Sequence, residues 1–261
     1  MDKRKSDLII EDLGIDAASS VASACPEVYE RLGFSVHSAR RDGSRYHTIV
    51  TGRLWLSPIE DRRRCIRLLG ALLSEYLRSV GVCREGRILF AGIGNPGLAS
   101  DALGCRVCDR IVVTRGDRTL VGLGFPEIAA VKPNVSSRTG LDTVEHIALL
   151  AKHIEADVIV TVDAVAARTK ERLQTVIQIT DAGISPGSAL SRSGAALDRE
   201  TMHRPVISIG VPTVIRAELL DEAFAEETML VTRAETDTIC DCYAEVIAGA
   251  INLAVSGKQE I

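Results

Sequence analysis

Apolar and polar positions at the start of the chain predict a β-hairpin. Residues 35–37 and 46–50 form two short runs with strand-like composition, and residues 41–44 between them contain an Asp-Gly pair typical of a turn. The first 30 residues have no clear periodicity, so we expect residues 1–30 to be a mobile arm. The sequence therefore predicts that regular structure begins with the hairpin.

A long amphipathic helix is predicted after the hairpin. Apolar residues recur at helical spacing from Ile66 to Leu77, and Gly81 is expected to end the helix. Ser57 is the predicted N-cap, and Glu60 is placed to close a capping box with it. Pro58 would then occupy the first helical position.

The pattern then changes to short apolar runs separated by loops and helices. Continuous β-branched runs without alternation are typical of strands that are buried on both faces. These runs lie at residues 87–91, 157–162, 176–179 and 205–209, and helices are predicted at about 140–155, 216–226 and 235–254. We therefore predict an α/β fold with a mostly parallel or mixed sheet flanked by helices, in a single domain.

Composition and charge narrow the class of protein. The chain has 261 residues, enough for one large α/β domain, and its 46% hydrophobic and 25% charged residues are ordinary for a globular protein. A net charge of −4 argues against a direct nucleic-acid binder, and 3% aromatic residues are too few for a base-stacking surface. We found no apolar run long enough to span a membrane and no signal-peptide core. Seven cysteines, an odd number, are expected to be reduced thiols in a cytoplasm.

Three predicted strand ends lead into aspartates, which are the candidate chemical groups. Asp101 follows a Gly-rich loop, Asp163 directly follows a strand, and Asp181 comes two residues after another. Sites in open α/β sheets form outside the carboxyl ends of the strands. Two close carboxyls allow general acid–base chemistry, because one holds a proton while the other activates water. Each aspartate has a plainer alternative as a solvated or capping residue, with Ser100 capping a helix from Ala102.

The Gly-rich turn has a second interpretation. Gly92, Gly94 and Gly97 match the spacing of a dinucleotide-binding fingerprint after a strand. Pro96 is unusual inside such a turn, and the acidic residue expected further on has only weak candidates. Nucleotide binding therefore stays open as an alternative.

No metal or cofactor site is expected. The Cys-x-x-Cys pair at 105–108 falls in a predicted helix, and the thiols at 240 and 242 have no finger-like spacing to it. The five histidines form no His-Glu-x-x-His motif. Buried or half-buried thiols are the preferred interpretation of the cysteines.

Taken together, the loops resemble the germination protease family of endospore-forming bacteria. The resemblance rests on an ordered set of motifs at near-family spacing. They are Gly-Ile-Gly-Asn at 92–95, Ser-Asp-Ala-Leu-Gly at 100–104, Val-Val-Thr-Arg at 112–115, Thr-Gly-Leu-Asp-Thr at 139–143, Val-Asp-Ala-Val-Ala-Ala-Arg at 162–168, Gln-Ile-Thr-Asp-Ala-Gly-Ile at 178–184, Pro-Gly-Ser at 186–188 and Ile-Gly-Val-Pro-Thr-Val at 209–214. The first 85 residues match only loosely.

The resemblance implies an atypical aspartic endopeptidase on a fold similar to hydrogenase-maturation peptidases. Its two catalytic aspartates correspond to Asp101 and Asp163. One carboxyl would activate water and the other would donate a proton, and amides of the glycine loop would help to stabilise the developing charge. The implied site-lining residues are Gly92, Gly94, Asn95, Arg168 and Asp181, and a structural turn role for Asp181 stays open.

The resemblance also implies a biological setting. Family members degrade small acid-soluble spore proteins in the forespore or spore core, act as tetramers and remove their own N-terminal segment. Residues 5–9 resemble that processing site, which puts the cut between Asp7 and Leu8 and divides the chain into a propeptide at 1–7 and a peptidase domain at 8–261. Two departures from the family are this short segment and the loop at 132–138.

Two rival functions remain. A hydrogenase-maturation endopeptidase shares the Gly-x-Gly-Asn motif, but it needs a later histidine, and His203 gives no obvious match. The second rival is a non-catalytic binding module of the same fold. The presence of both aspartates argues against this non-catalytic module.

Overall fold

The computed structural model describes residues 27–82, 86–186, 195–224 and 229–256. In this part of the chain, one nine-stranded sheet is flanked by helices. The strands are β1 (Glu27–Arg31), β2 (Phe34–Arg41), β3 (Ser44–Val50), β4 (Arg87–Gly92), β5 (Glu127–Val131), β6 (Val158–Ala167), β7 (Val176–Thr180), β8 (Val206–Arg216) and β9 (Leu230–Val231). The helices are α1 (Ile59–Ser79), α2 (Leu103–Cys108), α3 (Arg118–Gly122), α4 (Ser136–Thr139), α5 (Thr143–His153), α6 (Arg199–Met202) and α7 (Thr236–Ser256).

The sheet is mixed, as predicted. Its order is β1-β2-β3-β7-β8-β6-β4-β5, and β9 pairs with β8. The strands β5, β4, β6 and β8 run parallel, whereas β7 and the β1–β2–β3 meander pair antiparallel. The carboxyl ends of the four parallel strands therefore meet at one edge, which is the place where sites form in such sheets.

Both faces of the parallel strands are buried, which explains their continuous apolar runs. In β6, Val160 belongs to the core beneath α1 and α7, while the next residue back, Ile159, packs with Ile147 of α5 on the opposite face. Each face thus has its own helical layer, and burial of the alternating side chains fixes the strand register.

The predicted hairpin is confirmed as β2 and β3, with Asp42 and Gly43 at positive φ in its turn. The prediction of a mobile arm over residues 1–30 is wrong for its last part, because Glu27–Arg31 form β1 and pair with β2. The rest of that arm, including Asp7 and Leu8, lies outside the described residues.

The long first helix is confirmed, but its predicted capping box is wrong. Pro58 occupies the N-cap position of α1, with no side-chain cap, and the Ser57 hydroxyl donates instead to the Arg53 carbonyl at 3.3 Å. At the other end, the helix stops at Ser79, and Gly81 adopts a φ of +82°. Gly81 thus supplies the left-handed turn expected after a helix.

Other boundaries also differ from the sequence-based expectations. The helix predicted near Ala102 begins at Leu103 and follows a 3₁₀ turn at Ala99–Asp101, and Ser100 does not cap it. The helix predicted at 216–226 is wrong in the described part. Two short 3₁₀ turns, Ala217–Leu219 and Glu222–Phe224, occupy that region because β8 continues to Arg216 to pair with β9.

Helix α7 is the one described helix that is long and apolar enough to cross a membrane by length and composition. Its best window has a mean hydropathy of 1.4, and 61% of that window is buried inside the protein. Tyr243, Ile247 and Ile251 are fully buried in the core that α7 shares with α1 and the sheet. The apolar character of α7 is thus accounted for by packing within this chain.

Candidate active site

Two glycines allow α2 to lie directly against the strand ends at the edge of the sheet. A Cβ added to Gly104 in α2 would come under 3.0 Å from the carbonyl oxygens of Val162 and Ile93, and one added to Gly92 would meet the Gly104 carbonyl equally closely. Real Cβ atoms do not make such contacts. Glycine is therefore required at both positions by the approach of backbone to backbone. This approach carries Asp101, just before α2, to the end of β4 and the middle of β6.

The Gly-rich loop wraps around the carboxylate of Asp101. The Asn95 amide donates to Asp101 Oδ2 at 2.9 Å, and Gly94, at a φ of +119°, faces the Asp101 carbonyl so closely that a Cβ would not fit. Neighbouring amides are also occupied. The Ile93 amide donates to the Val162 carbonyl, the Gly97 amide to Asn95 Oδ1, and the Leu98 amide to the Asn95 carbonyl.

Two expectations for this loop change as a result. The loop amides of residues 93, 95, 97 and 98 already have acceptors within the protein, so they are committed to holding the loop rather than to stabilising charge on a substrate. The space beside Gly94 is filled by Asp101, which leaves no open cradle there for a pyrophosphate. The spacing of these glycines is therefore explained by the close packing of the loop around Asp101.

Asp163 lies within a strand and not at its end. In the parallel register, β4 stops where Gly92 pairs with Val162, but β6 continues beside β8, with Asp163 opposite Gly210. The Asp163 side chain therefore stands just beyond the end of β4. The residue is 6% exposed, and its Oδ1 accepts the Ala164 amide at 2.8 Å.

The charge of Asp101 affects the protonation of Asp163. Burial raises the pKa of Asp163 well above its ordinary value, the negative charge of Asp101 raises it further, and the Ala164 amide opposes both. Burial also raises the pKa of Asp101, to about 6, against the opposing effect of the Asn95 amide. At neutral pH this arrangement favours a protonated Asp163 beside an ionised Asp101.

Asp181 is held elsewhere, by Arg45. The Arg45 amide and Nε donate to its two carboxylate oxygens at 2.6 and 2.9 Å, and the Arg45 guanidinium also lies over the ring of Tyr76. Asp181 follows Thr180, the last residue of β7, which pairs with Ser208 of β8. Asp163 pairs with Gly210 of β8, which lies opposite Gln178 of β7. Because β7 runs antiparallel to β8, the chain has already passed Asp163 when it reaches Asp181. The structure brings Asp101 and Asp163 together and ties Asp181 to the hairpin and α1.

Arg168, another predicted residue, directly follows the last residue of β6, five residues beyond Asp163. Arg138 of α4 was not singled out by sequence reasoning, yet its Nη1 donates to Asn95 Oδ1 at 2.8 Å. Its position in the loop that departs from the family was the only signal in the sequence. Gly187 and Ser188, which belong to the motif after Asp181, lie outside the described residues.

Cysteine side chains pack against the Gly-rich loop. The Cys105 thiol is buried and lies 3.6 Å from the Gly94 carbonyl and 3.9 Å from the Gly92 carbonyl. Burial raises the pKa of Cys105, Cys108 and Cys240 to about 11, which is typical of packed thiols. Among the described residues, no group of three or more His, Cys, Asp or Glu side chains is arranged to hold a metal ion.

A family model described as germination protease matches residues 33–226. A germination protease of Bacillus mycoides (strain KBAB4) is 36% identical over 182 residues, which cover 68% of this chain and 49% of that protein. A germination protease of Bacillus cereus (strain AH187) is 38% identical over 176 residues, or 66% of this chain and 48% of that protein. The chain thus spans about half the length of the curated relatives that it matches.

One solved structure with a similar arrangement is the [NiFe] hydrogenase maturation protease HycI from Thermococcus kodakarensis KOD1. Its TM-score is 0.37 at 21% identity, over 64% of this chain and 92% of that one. The family model covers most of the chain, including both aspartates and the loop that holds Asp101. This chain belongs to the germination protease family.

Proposed function

We propose that this protein is an endopeptidase that uses Asp101 and Asp163 as a pair to activate water. The observation that supports the proposal most strongly is the coupling of the two carboxyls, since the charge of Asp101 raises the pKa of the buried Asp163. Two carboxyls with separated pKa values are the arrangement by which one acid and one base act at the same pH. Membership of the germination protease family supports the reaction class.

The pKa values suggest which carboxyl does what in the first step. Asp101, with a pKa of about 6, is mostly ionised at neutral pH and accepts a proton from the attacking water. Asp163 is protonated and donates to the carbonyl oxygen of the scissile peptide bond as charge develops there. No metal is needed to balance this step, because one proton leaves water and another reaches the carbonyl oxygen.

The second step breaks the C–N bond. Asp101 now carries the proton taken from water and donates it to the leaving amine nitrogen, while Asp163 recovers its proton as the carbonyl re-forms. Asn95 keeps Asp101 in place by its amide, and Arg168 lies beyond Asp163 at the end of β6 as a residue lining the site.

Finer features of the proposal rest on the family. The substrates are small acid-soluble spore proteins cleaved during germination, and the protein acts in the forespore or spore core as a homotetramer. It is made as a zymogen that cuts itself between Asp7 and Leu8. No cofactor, nucleic acid or membrane takes part in this proposal.

The test is intact-mass analysis of a purified small acid-soluble spore protein incubated with this protein. The unmutated chain is expected to produce discrete fragments, and Asp101→Asn and Asp163→Asn are expected to produce none at the same concentration. Asp117→Asn is the matched control, since Asp117 caps α3 through the amides of Thr119 and Leu120 and asparagine caps as well as aspartate.

Several results would contradict the proposal. Full cleavage by either variant at the site would remove the pair as the catalytic groups. An untouched substrate with a folded unmutated chain, both at full length and started at Leu8, would favour the binding-module alternative. Cleavage only of a nickel-containing hydrogenase precursor would favour the maturation-type alternative.

A further inference from the structure

A β-bulge lies beside the candidate pair and singles out Thr213. In the β6–β8 register, Val165 pairs with Pro212 and the next residue, Ala166, pairs with Val214. Thr213 is therefore the extra residue of the bulge, with no residue opposite. Bulges are concentrated next to active sites, where they turn one side chain in a new direction.

The Thr213 side chain is directed at the segment that carries Asp101. The residue is 1% exposed, and its hydroxyl donates to the Ser100 carbonyl at 2.5 Å. That carbonyl belongs to the peptide bond between Ser100 and Asp101. A hydrogen bond from a buried side chain thus joins β8, the strand beside Asp163, to the peptide bond that precedes the other aspartate.

Thr213 is itself fixed from the opposite side. Its carbonyl accepts the Thr232 hydroxyl at 2.6 Å and Nε2 of Gln174 at 3.3 Å. Gln174 is fully buried, and Nε2 also donates to the Thr236 hydroxyl at the start of α7, at 2.9 Å. Within α7, the Tyr243 hydroxyl donates to the Gln174 carbonyl at 2.9 Å. Thr213, which donates to the Ser100 carbonyl, is therefore held in place by hydrogen bonds of its own.

We propose that Thr213 is a positioning residue for the aspartate pair: its hydroxyl holds the Ser100–Asp101 peptide against β8 so that the Asp101 carboxyl faces Asp163. This inference rests on the proposed function in its kinetic consequences, but the position of Asp101 can be measured without any cleavage. Hydrogen bonds that set the distance between catalytic groups have large effects on rate, because an error of about 1 Å costs up to about 100-fold.

The variants separate positioning from stability. Thr213→Val removes the hydroxyl with little change of shape, Thr213→Ala removes it together with the methyl group, and Thr213→Ser keeps it. Thr114→Val is the matched control, because Thr114 is also 1% exposed and donates to a backbone carbonyl, that of Pro126, at 2.5 Å. Thr114 lies before α3 and precedes β5 in the chain, outside the candidate site.

Two readouts are used with the full chain. In cleavage of a small acid-soluble spore protein, Thr213→Val and Thr213→Ala are expected to lower kcat by about 10- to 100-fold with little change in KM. The acid limb of the pH profile moves to lower pH in both, because a displaced Asp101 gains solvent. Hydrogen exchange at the Asp101 amide, which donates to the Leu98 carbonyl at 2.8 Å, becomes faster. Thr213→Ser and Thr114→Val keep the unmutated values.

The results of these measurements distinguish a positioning role of Thr213 from a purely structural one. If Thr213→Val and Thr213→Ala lose stability as Thr114→Val does but retain kcat, the pH profile and slow exchange at Asp101, Thr213 is only a structural residue and the proposal is wrong. Should Thr213→Val not fold, Thr213→Ala gives the same comparison. If the unmutated chain cleaves nothing, the proposed function fails, while the exchange rate at Asp101 still decides the role of Thr213.

Discussion

Replacement of Gly104 by alanine tests whether backbone contact is what brings the aspartates together. In this structure the new Cβ would meet the carbonyl oxygens of Val162 and Ile93 under 3.0 Å and the Ile93 nitrogen at 2.5 Å. Close carbon–oxygen contacts in proteins are about 3.3 Å or longer. Because the obstructing atoms are backbone atoms of β6 and of the residue that follows β4, α2 has to move away by about 1 Å.

The expected cost follows from two opposing effects. Alanine is favoured over glycine inside a helix by about 1 kcal/mol, whereas overpacking of a close contact costs about 1–3 kcal/mol and occasionally more. We expect Gly104→Ala to lower the free energy of unfolding by up to about 2 kcal/mol. The displacement of Asp101 is expected to lower kcat by up to about 100-fold.

The assay combines urea denaturation with cleavage of a small acid-soluble spore protein. Gly122→Ala in α3 is the control, since a Cβ there meets nothing within 4 Å and its φ is ordinary. That control is expected to be equally stable or more stable by about 0.4–1 kcal/mol, with unchanged cleavage. If Gly104→Ala is as stable and as active as Gly122→Ala, the close approach of α2 to the strand ends does not hold the pair.

Two further predictions concern titrating groups. Because folding raises the pKa of Asp101 from 3.8 to about 6, its contribution to stability is greatest below pH 3.8 and is lost as the pH rises through 6. Asp101→Asn should therefore be more stable than the unmutated chain at pH 8, by up to about 3 kcal/mol in urea denaturation, and less so at pH 4; equal stability at both values would contradict this. The thiols of Cys105, Cys108 and Cys240, with pKa values of about 11, should react with iodoacetamide at pH 8 at least about 100-fold more slowly than free cysteine, as measured by peptide mass spectrometry with a denatured control. Rapid labelling of the folded protein would refute that packing.

The sequence predicted the elements whose signals are local. The alternation around Asp42 and Gly43 identified the hairpin, and apolar spacing identified α1, α5 and α7. One failure depends on a tertiary contact and the other on a local one. Residues 216–226 have helical composition, but β9 pairs with the end of β8, and 3₁₀ turns occupy the described residues up to Phe224. The capping box predicted at Ser57 does not form, because the Ser57 hydroxyl donates to the Arg53 carbonyl instead.

The sequence named candidate site residues but did not show how they are arranged. Three aspartates near strand ends were indistinguishable by spacing, because nothing local shows that β7 runs against β8 and that Arg45 holds Asp181. Asp163 was expected in a loop, since a sequence does not show that β8 continues beside it. Thr213 belongs to the motif at 209–214, but the motif gave no sign of its role, because a bulge depends on the register of two strands.

The most direct test of the account is the titration of the two carboxyls by carbon-13 NMR in the full chain. We predict that the carboxyl of Asp101 titrates near pH 6, while that of Asp163 has a pKa raised well above its ordinary value by burial and by the charge of Asp101. In Asp101→Asn, the pKa of Asp163 is expected to fall, because the neighbouring charge is gone, and to stay above its ordinary value because of burial. Ordinary titration of both carboxyls near pH 4, with no change in Asp163 when Asp101 is replaced, would contradict the coupled pair.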